Sequence, residues 1–213
     1  MDTVQLLGST LGLGFAAGMR LYATILALGL GIRFGWIDVP ASFGDLRVLG
    51  EPMVLIPAGI ACLVEFVSDK VPWLDSLWDS FHTFIRPIGA SVLAATAFGS
   101  VDPTLKWLLV VLCGGVALSS HSSKAATRVM VNHSPEPFSN IGLSLAGDLF
   151  VPFCVWVAVE HPMVAITFVA IFAVIFIWLV PKIYRLLSRS IRALREWLGG
   201  STKGVAPKPL AHR

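Results

Sequence analysis

The sequence predicts an all-α protein, a polytopic membrane helix bundle of about six transmembrane helices. The chain of 213 residues is 55% hydrophobic and only 14% charged, and its mean hydropathy of +0.78 is far above that of soluble domains. Long apolar runs recur along the chain, whereas eight of its sixteen Lys and Arg residues lie beyond residue 181. This composition excludes an ordinary soluble domain, and the segregated charge is typical of membrane proteins rather than of nucleic-acid-binding proteins.

Apolar segments of membrane-spanning length divide the chain into six expected spans. A helix needs about 20 predominantly apolar residues to cross the hydrocarbon core. The spans are residues 4–31, 52–68, 87–101, 105–127, 139–159 and 163–181. The third span is short, so we expect it to be tilted or partial. The sixth span is the clearest, because only Thr167 interrupts its apolar residues, and much of its surface should face lipid.

The basic residues predict the orientation and three regions. Cytoplasmic connections carry an excess of Lys and Arg, so the C-terminus is expected in the cytoplasm, and six crossings put the N-terminus there too. Residues 1–181 form the transmembrane bundle. Residues 182–198 set apolar against basic side chains at helical spacing, which predicts a juxtamembrane amphipathic helix on anionic lipids, although a simple stop-transfer anchor explains the pattern equally well. Residues 199–213 are expected to be a disordered tail.

A further amphipathic segment precedes the third span. Pro72 suits the first turn of a helix, and the apolar residues after it recur at helical spacing. Asp75, Asp79 and His82 lie between those apolar residues. We therefore expect one interfacial amphipathic helix at the cytoplasmic face of the membrane.

Several ionisable side chains lie inside the expected spans or next to them. Each such group costs about 3 kcal/mol on insertion scales, so it is a candidate functional residue by default. The candidates for an ion-binding or substrate-binding site are Arg20, Glu65, Asp69, His121, Lys124 and Asp148. Because spacings of three and four residues place side chains on one helix face, the candidates of the second and fourth spans should pair across helices.

The alternative to a functional site is that these charges are only polar contacts that hold the bundle together. His121 fits that alternative best, as a hydrogen-bonded partner rather than a metal ligand. The glycine pairs Gly8 with Gly12 and Gly14 with Gly18 need no further function either, since small residues at this spacing let helices approach closely.

A faint internal similarity suggests a 3+3 inverted repeat. Arg20 in the first span corresponds to Lys124 in the fourth, and Glu65 in the second span corresponds to Asp148 in the fifth, each acid lying six residues after a glycine. Three crossings separate the members of each pair, so the two halves would have opposite orientations. Secondary transporters with such repeats bind their substrates at the repeat interface near mid-membrane.

Five ordered motifs resemble one family over nearly the whole chain up to about residue 181. The motifs are Gly18-Met19-Arg20 and residues 65–75, 83–87, 121–128 and 144–148. Together they resemble the DUF4126 family, a domain of unknown function. The resemblance implies a small, mostly bacterial integral membrane protein of the cell (inner) membrane, and it implies no activity.

The segment before the fifth span departs from that family. Family members commonly have Gly-rich sequence there, whereas this chain has Pro135-Glu136-Pro137-Phe138. Residues 132–140 are expected to form a non-helical loop, which either lines a cytoplasmic vestibule or only turns the chain. If the loop contacts a ligand, that ligand differs from the one bound by other members.

Three classes of function remain open. A transporter or channel would use the charged site for an ion or small solute, and a structural or accessory membrane protein would use the same charges for assembly. An enzyme is disfavoured, because the chain has no nucleophile elbow, phosphate-binding loop or metal motif. We expect no cofactor and no metal. The expected partners are the lipid bilayer, anionic lipids at the basic segment and an ion or small charged solute, with no nucleic acid; homo-oligomerisation is left open.

Overall fold

The fold is built from helices throughout the described part of the chain. The computed structural model describes residues 3–37, 41–98, 101–132 and 137–199. The elements are α1 (Thr3–Met19), α2 (Leu21–Arg33), a 3₁₀ helix (Ala41–Gly50), α3 (Pro52–Ser68), α4 (Pro72–Ala97), α5 (Pro103–Asn132), α6 (Pro137–Glu160) and α7 (Pro162–Gly199). The predicted all-α fold class is confirmed.

Within the described residues, three helices are long and apolar enough to cross a membrane. These segments are Pro103–Arg128, Ile141–Glu160 and Pro162–Lys182, and shorter apolar helices cover Thr3–Met19, Leu21–Arg33 and Pro52–Ser68. Large apolar side chains are exposed on the outer faces of these helices, such as Met53 at 88% and Leu149 at 78%. A water-soluble protein would not expose so much apolar surface, so the chain is a helical membrane bundle.

The first expected span is interrupted at Arg20. This residue has an extended backbone, with φ −152° and ψ 97°, and it separates α1 from α2. Hydrogen bonds continue across the break, since Arg20 N donates to Ala16 O at 2.9 Å and Thr24 N donates to Arg20 O at 3.0 Å. The span from residue 4 to residue 31 is therefore two helices joined by one extended residue.

Helix α4 contains two elements that were expected to be separate. The expected interfacial segment and the start of the third span form one continuous helix, which passes through Pro87. The polar residues of the segment do not face water, because Asp75, Asp79 and His82 are all buried. An amphipathic pattern shows that a helix has a polar face, and here that face meets the charges of other helices.

Helices α6 and α7 also extend beyond their expected ends. The expected loop over residues 132–140 is shorter, because α6 begins at Pro137, and residues 133–136 lie outside the described part. Helix α7 continues through Pro181, so residues 182–198 prolong the helix of the sixth span. The expected disordered tail lies, from residue 200 onwards, outside the described part.

Helix α1 is the centre of the bundle. It packs against α4, α5 and α6, and eleven of its seventeen residues are buried. Its four glycines lie against neighbouring helices: Gly8 against the start of α7, Gly12 against α6 and α7, and Gly14 and Gly18 against α5. Residues up to Ala173 form one compact unit, and the rest of α7 forms a second. In that second unit the Lys182 ammonium lies over the Trp178 ring, 3.0 Å from its centroid.

We expect Gly18→Ala to destabilise the protein by about 1–3 kcal/mol, because the added methyl group would overlap Ser120 Oγ and the Ala117 carbonyl of α5. Thermal unfolding of the purified protein in a neutral detergent measures the change. The matched control is Gly115→Ala on α5, where a methyl group would meet no described atom within 4 Å. The control should leave the stability unchanged or raise it by about 0.5–1 kcal/mol through helix propensity. Equal unfolding temperatures for the two variants would contradict close packing at Gly18.

Candidate functional site

The six candidate residues from the sequence all lie in one buried region. Nine charged side chains meet there, and we call them the charge cluster. Its acids are Glu65, Asp69, Asp75, Asp79 and Asp148, and its bases are Arg20, Arg86, Lys124 and Arg128. Asp148, whose side chain is 23% exposed, is the only partly accessible member among these described groups. The cluster joins α3, α4, α5 and α6 to the break between α1 and α2.

Arg20 connects three parts of the bundle. Its guanidinium forms ion pairs with Asp69, directly after α3, and with Asp148 Oδ1 of α6 at 2.9 Å. Nη2 also donates to the Ser144 carbonyl at 3.2 Å and to Ser144 Oγ at 3.3 Å. The helix break thus lies at the residue that links the first span to α3 and α6.

Arg86 is fully buried and binds two acids. Its Nη2 lies 2.6 Å from Glu65 Oε1 and 3.2 Å from Asp79 Oδ1. Its Nη1 donates to the Gly18 carbonyl at 3.3 Å, which satisfies a carbonyl in the last turn of α1. Arg86 therefore balances the charge of two carboxylates, and it also donates a hydrogen bond to the backbone beside the break in the first span.

His121 is held as a neutral imidazole by its neighbours. Arg86 Nη1 donates to its Nδ1 at 2.7 Å, so Nδ1 carries no proton. Its Nε2 lies 3.1 Å from both Thr83 Oγ1 and the Asp79 carbonyl, and it donates to these acceptors. Both ring nitrogens are occupied, so His121 positions Arg86 and has no nitrogen left for a metal.

Lys124 and Arg128 lie on one face of α5 and meet the same acid. Lys124 Nζ is 3.5 Å from Asp69 Oδ1, but it makes no hydrogen bond within the described part of the chain. Arg128 Nη2 is 3.3 Å from Asp69 Oδ2, and its Nε is 4.0 Å from Asp75 Oδ2. Asp69 therefore lies between three bases, including Arg20.

The formal charge of the cluster depends on Asp75. Five carboxylates face four bases, which leaves one net negative charge when every acid is ionised. Asp75 lies in the first turn of α4, before the expected third span, and burial raises its pKa to about 6 although Arg128 opposes the rise. Protonation of Asp75 makes the cluster electrically neutral.

A half-open cavity of about 440 Å³ adjoins the cluster between α1, α5, α6 and the start of α7. Three bases line one wall, Arg20, Lys124 and Arg128, together with hydroxyl groups of α5. The opposite wall is apolar and comes from α6 and α7. No acid is among the described residues that line the cavity. The cavity thus faces the positive side of the cluster.

Four members of the cluster were not among the residues expected to form the site. Asp75 and Asp79 had been assigned to the interface, and Arg86 and Arg128 were not included among the site residues. The signal was present, because residues 75, 79, 82 and 86 recur at spacings of four, three and four, which places them on one face of α4. The cluster also lies nearer the carboxyl ends of α3 and α5 than the middle of those helices.

Comparisons with known proteins identify a family and no function. A family model described as domain of unknown function (DUF4126) matches residues 7–182. No curated protein matches the chain, and no solved structure matches it.

We expect Arg86→Met to destabilise the protein by about 3–5 kcal/mol, because it leaves Glu65 and Asp79 without their shared cation inside the bundle. Adding Glu65→Gln should recover part of the loss, since one uncompensated charge is removed. Thermal unfolding of the single and double variants measures both effects. Arg47→Met, at an exposed position, is the control and should change stability by less than about 0.5 kcal/mol. An additive effect of the two cluster substitutions would show that Arg86 and Glu65 are not coupled.

Asp75→Asn should stabilise the protein, and the gain should grow as the pH rises from 4.5 to 7.5. The pKa of Asp75 in the folded protein is about 6, above its ordinary value of 3.8, so burial penalises only the ionised form. The penalty is absent below about pH 4 and complete above about pH 7, where it is on the order of 2 kcal/mol.

The unfolding temperatures of wild type and Asp75→Asn at pH 4.5, 6.0 and 7.5 test this dependence. Glu51→Gln, at an exposed acid, serves as the control and should give a small, nearly constant difference. A gain for Asp75→Asn that shrinks with rising pH would mean that Asp75 stabilises the protein through its charge.

Proposed function

The chain belongs to the DUF4126 family, and from its site geometry we propose that it is a transporter-like membrane protein that binds an anionic solute inside the bundle. The proposal places it in the cell (inner) membrane with both termini in the cytoplasm. The observation that carries the proposal is the cavity whose charged lining is entirely basic in the described part of the chain. A site inside a membrane bundle that presents three bases to an open volume suits an anion.

The bases of the cavity wall are held in place by acids that do not themselves line the cavity. Asp69 lies behind Arg20, Lys124 and Arg128 and contacts all three. The acids offset the cost of burying the bases, and the three bases also border the cavity. The potential in the cavity is set mainly by the nearest charges, which are positive.

The interrupted helix at Arg20 also supports the proposal. Secondary transporters commonly build their sites from discontinuous helices. Here the extended residue is itself a member of the cavity wall. An irregular backbone inside a membrane is tolerated where it lies within protein or beside a cavity.

The ion pairs are consistent with the suggested inverted repeat. Arg20 of the first half pairs with Asp148 of the second at 2.9 Å, and Lys124 of the second half lies 4.0 Å from Glu65 of the first. An axis that exchanged the two halves would exchange these two pairs. The correspondence has one departure, because α5 is continuous at Lys124 whereas the first span is broken at Arg20.

Asp148 provides a route for coupling anion binding to a proton. An anion at Arg20 competes with Asp148 for the same guanidinium, and the released carboxylate then takes up a proton. Asp148 suits this role because its side chain is 23% exposed, whereas its partner Arg20 is 2% exposed. Anion and proton would then enter the site together.

A structural or accessory function is the alternative, and the pairing within the cluster favours it. Each of the five acids has a base within 4.0 Å. Such a network holds helices together without any ligand. The cavity favours transport over a structural function, because assembly contacts do not require an open volume beside them.

We expect Gly147→Leu to lower anion flux more than about tenfold, equivalent to about 1.4 kcal/mol. Gly147 lines the cavity, and a Cβ atom there would lie 3.5 Å from Arg20 Nε, so a longer side chain would fill the volume in front of the bases. Uptake of chloride, inorganic phosphate, methanesulfonate and octanesulfonate into proteoliposomes measures the flux, with a trapped pH indicator for protons.

Gly142→Leu on the same helix is the matched control, because an added Cβ would meet no described atom within 4 Å. It should transport like wild type. If wild-type protein that elutes as a folded species moves none of the four anions, the transport proposal fails and the accessory function is favoured. Flux that survives in folded Gly147→Leu would place the pathway outside the cavity.

A further inference from the structure

We infer that the ligand of the cavity is an anionic amphiphile, a molecule with an anionic head and a single apolar chain. The inference rests on the proposed function and names the substrate class of the same site. It follows from the division of the cavity into a basic wall and an apolar wall, and from a second, apolar cavity beyond the first.

The basic wall is built to receive the head. Arg20, Lys124 and Arg128 come from two elements and converge on one side of the cavity. Lys124 is 9% exposed, and its ammonium makes no hydrogen bond to any described group, although Asp69 Oδ1 lies 3.5 Å away. Glu65 Oε1 and Asp79 Oδ1 lie 4.0 and 3.9 Å from the same ammonium. An ammonium group has three donors, so an anionic head in the cavity would accept a hydrogen bond from Lys124 in addition to these ion pairs.

The apolar wall disfavours a wholly hydrophilic anion. Leu143, Phe150 and Val151 of α6 face the cavity, and Phe15 of α1 and Phe172 of α7 close it. A small hydrated anion in this volume would lose water on the apolar side and gain no hydrogen bond there. An apolar chain instead gains about 25 cal/mol for each Å² of surface that it buries.

A second cavity extends the apolar volume away from the bases. It measures about 120 Å³, and its described lining carries no charged side chain. Both cavities have Phe15 and Phe150 in their walls. These two rings pack edge to face with centroids 6.3 Å apart, so they lie where the head-binding volume meets the smaller cavity.

The order of lining residues gives the direction of the chain. Along α1 the lining runs from Arg20 through Phe15 to Gly12, and along α7 it runs from Phe172 to Phe168. The two cavities therefore follow one another along the helices. Arg20 and Gly12 are about 12 Å apart at 1.5 Å per residue, which places the head at the helix break and the end of the chain toward the start of α1.

Three matched phosphates test the inference with purified protein in a neutral detergent. Lysophosphatidic acid carries both the anionic head and one chain, glycerol 3-phosphate carries the head alone, and lysophosphatidylcholine carries the chain with a zwitterionic head. Native mass spectrometry counts the bound molecules and gives their relative affinities. We expect lysophosphatidic acid to bind at least about tenfold more tightly than either of the others.

Variants locate the binding in the cavity. Lys124→Gln removes one cation of the wall, and Gly147→Leu fills the volume; each should weaken lysophosphatidic acid binding by about tenfold or more. Gly142→Leu should bind like wild type. Equal binding by wild type and folded Gly147→Leu would overturn the inference, because the lipid would then lie elsewhere on the membrane surface.

The remaining outcomes separate this inference from the transport proposal. Tight binding of glycerol 3-phosphate without any gain from the chain would overturn the amphiphile and leave a small-anion transporter standing. Equal binding of lysophosphatidylcholine would show that the head charge is not recognised, which contradicts both proposals. Two-chain phosphatidic acid tests the single chain: weaker binding than that of lysophosphatidic acid supports it, and equally tight binding would overturn it in favour of a bilayer phospholipid.

Discussion

The cost of placing an ionised side chain away from water is the constraint on which this structure depends. An unpaired charge inside a bundle is destabilising by several kcal/mol, and the same charge is tolerated when a partner of opposite sign lies within contact distance. Each of the nine charged residues of the cluster has such a partner of opposite sign. Asp69, between Arg20, Lys124 and Arg128, and Arg86, between Glu65 and Asp79, are the two centres through which the helices are joined.

Several irregular features of the fold follow from this pairing. The first span breaks at the residue that must reach both Asp69 and Asp148, and Arg86 supplies a donor to the carbonyl of Gly18 beside the break. Helix α4 turns its polar face inward, because the cluster offers its acids and Arg86 better partners than the membrane surface does. The glycines of α1 bring α5 close enough for the bases of α5 to take part.

The same arrangement allows both stability and binding. Four of the acids belong to α3, to α4 or to the turn between them, and Asp148 belongs to α6. Arg20, Lys124 and Arg128 border the cavity, so the cluster is nearly neutral as a whole but its charged groups among the described lining residues are positive. An anionic head would join the network as one more acid, in competition with Asp148 for Arg20. An apolar chain would occupy the space that α6 and α7 leave beside Phe15. A purely structural network would explain the pairs, but it gives no reason for a cavity of about 440 Å³ directly beside three bases.

The sequence by itself determined the all-helical membrane class, the approximate position of most helices and five members of the cluster. Apolar runs report the lipid environment directly, and ionisable residues such as Arg20 and Asp148 stand out within them because so few other groups there are polar. Only the tertiary structure decided that α4 faces inward, that the first span is broken and that the bases border a cavity. Periodicity shows that Asp75, Asp79 and Arg86 share a helix face. It does not show whether that face contacts water, lipid headgroups or a residue far away in the chain, such as Glu65. The choice among them depends on contacts between residues far apart in the chain, which hydropathy and spacing do not encode.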